Sequence, residues 1–182
     1  MKTKIIAILV VVSLASLVYL FFRTRSHPTS ISPSFKNLQV GTDTKNDVLS
    51  KMGSPLSSSL SSSDREKLDY SSQNQYWPHQ VYIQTQNQKA TLVKERLLHT
   101  VLGELKNYID KYGPPEAVLA SNDDLPALGF RLHVFTAAGV AINANPDTGV
   151  VFEIWYFPPM TLAKFQTQYT SEITTWTQPQ TF

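Results

Sequence analysis

The chain has 182 residues and no cysteine, which excludes thiol nucleophiles, redox pairs, disulfide staples and thiolate metal sites. Sixteen Lys and Arg stand against fourteen Asp and Glu, but Lys2, Lys4, Arg23 and Arg25 all flank one apolar run. The remaining twelve cations against fourteen acids leave a net charge of about −2, with no basic patch to track phosphates, so nucleic acid is not an expected partner.

A short tail, residues 1–4, precedes an uncharged run, IIAILVVVSLASLVYLFF, that opens on Ile5 and closes on Phe22. As a helix, residues 5–22 would span roughly 27 Å, close to the ~30 Å hydrocarbon core of a bilayer. The run therefore predicts a single-pass transmembrane anchor and makes the membrane the first expected partner. A signal peptide is the alternative, with Lys2 and Lys4 as its basic start and Ser13, Leu14 and Ala15 as a weak cleavage site. Cutting there would leave the apolar residues 17–22 exposed, and Arg23 and Arg25 stop the run with charge. An uncleaved anchor is the expectation, with the long polar part outside the cytoplasm.

Residues 23–36, rich in Ser, Thr and Pro, read as an extended tether. The soluble part then matches itself at an offset near sixty. KNDVLSKMGSP at residues 45–55 parallels LKNYIDKYGPP at 105–115, placing Gly53 on Gly113 and Pro55 on Pro115. Val81 and Ile83 fall on Val140 and Ile142, and Leu92 falls on Val151. Three matches in the same order point to a duplication, with repeats over residues 37–99 and 100–182.

Each unit opens on a helix. Thr44 and Asp47 form a capping-box pair before Val48, Leu49 and Met52, and Gly53 and Pro55 stop the helix. Leu105, Tyr108, Ile109 and Tyr112 make the second apolar stripe, stopped by Gly113 and two prolines. The serine-rich residues 57–63 lack apolar periodicity and read as a surface loop. Strands follow at 80–85 and 91–98, then at 130–137, 139–144 and 150–157, with the turn NPDTG at 145–149. TLAKFQTQY at 161–169 predicts a closing C-terminal helix. The expected fold class is α+β: a transmembrane helix, then two tandem helix-plus-antiparallel-meander repeats with the helices packed on one sheet face.

The opening of the first repeat, LQVGTDTKNDVLSKMGSP from Leu38 to Pro55, resembles the SmpA/OmlA family of small envelope lipoproteins. The tandem arrangement is similar to that of the β-lactamase inhibitor protein. The resemblance implies a scaffold that binds proteins in the cell envelope and has no catalysis of its own. The family's lipid-bearing cysteine is absent here, and the turn at Gly41 is one residue longer before Val48.

Chemistry-bearing motifs are sparse. His27, His79, His99 and His133 show no metal-ligand spacing, and no serine sits in a nucleophile elbow. Neither an enzyme, a metal nor a cofactor is expected. The alternation of 149–157 sets Glu153 and Trp155 on one face, and that of 130–135 sets Arg131 and His133 on one face. With Lys94 and Arg96 from the first repeat, these six residues predict an open sheet face with a central aromatic, the composition of a protein-binding surface. The same residues would equally serve as cross-strand stabilisers, and Tyr76, Trp77 and Pro78 either extend the surface or belong to the core. The expected function is a membrane-anchored, extracytoplasmic protein-interaction or envelope-assembly module with an envelope protein as partner. The alternative is a small-ligand or cell-wall-fragment binding domain that uses a cleft between the repeats.

Overall fold

The computed structural model describes residues 34–73, 76–97, 103–121 and 128–174. The first helix, α1 (Lys45–Met52), begins where its capping box dictates. The Thr44 N–H donates to Asp47 Oδ2 at 2.8 Å, and the Asp47 N–H donates back to Thr44 Oγ1 at 3.3 Å. It ends at Gly53, whose φ of +80° is a backbone conformation that side chains resist. Four strands follow: β1 (Ser57–Ser62), β2 (Arg65–Tyr70), β3 (His79–Gln84) and β4 (Ala90–Arg96). The sequence then restarts with α2 (Leu105–Tyr112), stopped at Gly113 with φ +83°. After it come β5 (Ala117–Ser121), β6 (Arg131–Phe135), β7 (Val140–Ala144) and β8 (Val151–Tyr156).

The two halves correspond in backbone detail. Thr44 bridges Lys89 in the first half, and Glu104 bridges Val150 in the second. The first N–H of each helix is tied to the turn before its last strand, Lys45 to the Gln88 carbonyl and Leu105 to the Gly149 carbonyl, both at 2.8 Å. The halves join through antiparallel β4 and β8, so the sheet order is β1-β2-β3-β4-β8-β7-β6-β5-β9. The last strand, β9 (Ile173–Thr174), follows α3 (Leu162–Gln168) and covers the far edge of β5.

This architecture corrects the α+β expectation. Instead of two tandem meanders with helices on one face, there is one continuous antiparallel sheet with helices on both. Val48 of α1 and Leu105 of α2 pack with Leu68, Val81, Ile83, Val93, Ile142 and Ile154 on one face. Phe165 of α3 and the adjacent Tyr169 pack with Tyr82, Leu92, Leu132, Val134 and Trp155 on the other. The physical reason is that the strands alternate between two apolar sets, and each set needs a cover. The serine-rich stretch is also corrected, from loop to edge strand β1, and β2 and β5 are strands beyond those expected.

The membrane expectation is corrected as well. Residues 5–22 lie outside the described residues, and no described helix is long and apolar enough to cross a membrane. The transmembrane, single-pass description is withdrawn.

Candidate interaction surface

Four of the six expected site residues share the α3 face, but that face is closed. Trp155 is 0% exposed. Its ring centroid lies 6.5 Å from that of Phe165, and the Tyr169 hydroxyl donates to the Thr91 carbonyl at 2.6 Å, docking the end of α3 on the sheet. Lys94, the cross-strand partner of Trp155, holds its ammonium 4.3 Å from the indole centroid and donates to Glu172 Oε2 at 2.6 Å. Burial alone would raise the Glu172 pKa, but the charges of Lys94 and Arg65 and hydrogen bonds from Lys94 and the Tyr82 hydroxyl outweigh it and hold it below the usual value. Burial, with the Glu172 charge nearby, drives the Tyr82 phenol well above its ordinary range. This lysine, tyrosine and glutamate clamp the C-terminal segment over Trp155.

Arg96 and Glu153 are also direct cross-strand partners. Arg96 Nε lies 3.2 Å from Glu153 Oε1, an ion pair in distance that lacks hydrogen-bond alignment, and Glu153 is 0% exposed. Asn143, opposite Glu153 on the other side, donates to Ser121 Oγ at 3.2 Å.

The other two expected residues are on the opposite face, which corrects the expected constellation. Arg131 pairs with Ala144 and His133 with Ile142, and Ile142 belongs to the core beneath α1 and α2. His133 is buried, and burial depresses its pKa, favouring the neutral ring. Arg131 is half-buried, and its Nη1 donates to the Phe130 carbonyl at 2.7 Å. His133 and Glu153 thus lie on opposite sides of the sheet.

The outward-facing aromatics gather elsewhere, at one end of the sheet. Trp77 precedes β3, Phe130 precedes β6, and Phe152 is the second residue of β8. Antiparallel pairing of β4, β8, β7 and β6 brings these strand ends together. Trp77 meets Phe152 edge-on with centroids 5.6 Å apart, and Phe130 meets Phe152 at a tilt, also at 5.6 Å. The Arg96 guanidinium lies 5.3 Å from the Trp77 centroid and 5.5 Å from that of Phe152, within cation–π range. All three rings are half-buried, Tyr76 beside them is 78% exposed, and Leu128 is exposed as well.

Local hydrogen bonds fix this end. The Leu97 N–H donates to the Phe152 carbonyl at 2.9 Å, Ser72 Oγ donates to the Trp77 carbonyl at 2.8 Å, and the Arg96 N–H donates to His79 Nδ1 at 3.1 Å. Burial, aided by the charges of Lys36 and Arg96, pulls the His79 pKa down to about 4, so the ring is the neutral acceptor its bond requires. Among the described residues no group of three His, Cys, Asp or Glu could hold a metal ion. Of this cluster, the sequence pointed only to Arg96 and, with its alternative left open, to Tyr76 and Trp77. The available signal for the rest was that three aromatics stand at the starts of strands meeting at one sheet end.

No protein-family model matches the chain, and no curated protein matches it. Among solved structures it is similar to an extracellular protein containing a SCP domain from Bacillus anthracis str. Ames, at 13% identity and a TM-score of 0.46. The similarity covers 81% of this chain and 57% of that one.

Proposed function

We propose that the protein is a non-catalytic protein-binding module whose contact surface is the Trp77, Phe130 and Phe152 end of the sheet. The observation that carries this reading is the cluster of Trp77, Phe130 and Phe152, with the Arg96 guanidinium near two of its rings and Tyr76 exposed beside it. Tryptophan and tyrosine supply large contact area at little entropic cost, and with arginine they dominate binding hot spots. The partner is a protein segment that lays an apolar side chain against these rings. The envelope-family resemblance of the segment from Leu38 to Pro55 supports a scaffolding role, and the basic, then apolar, start of the chain supports an extracytoplasmic setting.

The test is site-specific photo-crosslinking in cells with the full-length chain. A benzophenone amino acid at position 76 should capture a discrete partner, and the same group at position 86, in the turn at the other end of β3, should not. Phe152→Ala should abolish capture from position 76. Equal capture from both positions, no capture, or capture insensitive to Phe152 would sink the reading.

A further inference from the structure

Independently of that contact surface, we propose that the outer edge of β5 is occupied by this chain's own C-terminal segment, residues 175–177 continuing β9 with Trp176 beside Val118. The pairing that begins β9 sets both direction and register. Ser121 stands opposite Ile173 and Ala120 opposite Thr174, antiparallel. The next three residues in the sequence, Thr175, Trp176 and Thr177, then come level with Leu119, Val118 and Ala117.

Burial along β5 follows the same division. Ala120 and Ser121, where β9 pairs, are buried, and so is Leu119 next to them. Further along, Ala117 is half-buried and Val118 is 38% exposed. β6 pairs with the inner side of Ala117, Val118 and Leu119, and among the described residues none pairs with their outer side.

Composition separates the two outermost long strands. In the first half, β1 reads SSSLSS, and its residues 57–61 are all exposed. Its counterpart after the second helix, β5, reads AVLAS. An apolar strand with open backbone groups invites pairing by any extended chain, and covering it is one way proteins remove that hazard.

The chemistry of the segment fits the place. Threonine and tryptophan both favour extended backbone. Alternation puts residue 176 on the face of Val118, and an aromatic opposite a β-branched side chain is a stabilising cross-strand pair. Pro179 comes level with Pro115, ahead of the first residue of β5, so its missing N–H falls where no strand remains to receive it. With the edge filled in this way, β5 offers no strand to an extended partner.

The chain contains no cysteine, so an introduced pair reports a single contact. In the full-length protein under mild oxidation, Ala117→Cys with Thr177→Cys should close an intrachain disulfide at least about tenfold faster than Val118→Cys with Thr177→Cys, because only level residues on one face bring two thiols within bridging distance. Both pairs keep Trp176. Adding Trp176→Ala to the first pair should slow closure towards the rate of the second, with thermal melts of the reduced proteins confirming that each is folded. Equal rates for the two pairs, no disulfide in either, a disulfide between two chains in place of one within a chain, or closure indifferent to Trp176→Ala would each overturn the proposal.

Discussion

Replacing Trp155 with alanine separates a closed sheet face from an open one. Were the indole an exposed contact, its removal would change stability by no more than about 0.5 kcal/mol. The residue is instead 0% exposed, stacked near Phe165 and capped by the Lys94 ammonium at 4.3 Å. An aromatic of this size buries about 150–250 Å², which at roughly 25 cal/mol per Å² gives about 4–6 kcal/mol as an upper figure. Buried aromatic-to-alanine changes cost about 3–5 kcal/mol, because neighbours collapse only partly into the space. Loss of the desolvated cation–π contact acts in the same direction, by roughly 1–2 kcal/mol that overlaps the first sum.

The expected loss is about 4 kcal/mol. For a chain of this length that corresponds to a fall in Tm of roughly 8–16 °C. The assay is thermal and guanidinium unfolding of the full-length variant by far-UV circular dichroism, with Tyr76→Ala as the exposed control. A Trp155→Ala protein that unfolds within about 1 kcal/mol of the parent would refute the burial and with it the position of α3.

Other expectations follow from the same packing. His79 keeps its proton off down to about pH 4 when folded, whereas the unfolded ring takes one near 6.5, so unfolding gains protons in that window. Stability should therefore fall as pH drops from 6.5 towards 4, and His79→Gln should flatten that slope in urea midpoints; an unchanged slope would place the titration elsewhere. Gly139 has φ +70°, and a Cβ there would lie 2.4 Å from the Phe157 carbonyl oxygen. Gly139→Ala should cost at least about 2 kcal/mol, and a variant melting with the parent would show that the turn into β7 is not held as described.

The local signals were readable because short-range chemistry determines them. Thr44 with Asp47 starts α1, Gly53 and Gly113 stop the two helices, and the turn at 145–149 leads into β8. What failed was relative placement. Alternation assigns Glu153 and Trp155 to one side of their own strand, and Arg131 and His133 to one side of theirs. Whether those sides coincide depends on pairing register across β7, where His133 meets Ile142 and Ile142 meets Ile154, not Glu153 or Trp155. A shift of one residue exchanges the faces. Burial of Trp155 was equally illegible, since it depends on which side α3 docks. A run such as Ser57–Ser62, polar but for Leu60, has no alternation to show, so its strand identity comes entirely from pairing with β2. The aromatic cluster was missed because Trp77, Phe130 and Phe152 are far apart in sequence and meet only when the strand order is known.

The buried Arg96–Glu153 pair links the fold to the proposed surface. As a source of stability such a pair is weak, since desolvating both charges offsets most of their attraction. Its position suits a different role. Arg96 is the last residue of β4, Glu153 faces it from β8, and these two strands are the seam between the halves. The guanidinium held there lies 5.3 Å from the centroid of Trp77, from the first half, and 5.5 Å from that of Phe152, from the second. A lysine could carry the charge, but it lacks the broad planar cation that can stay near two rings and a carboxylate at once. The ion pair thus ties the cation near both rings to the strand of the other half, and its place is one of orientation more than of net stability.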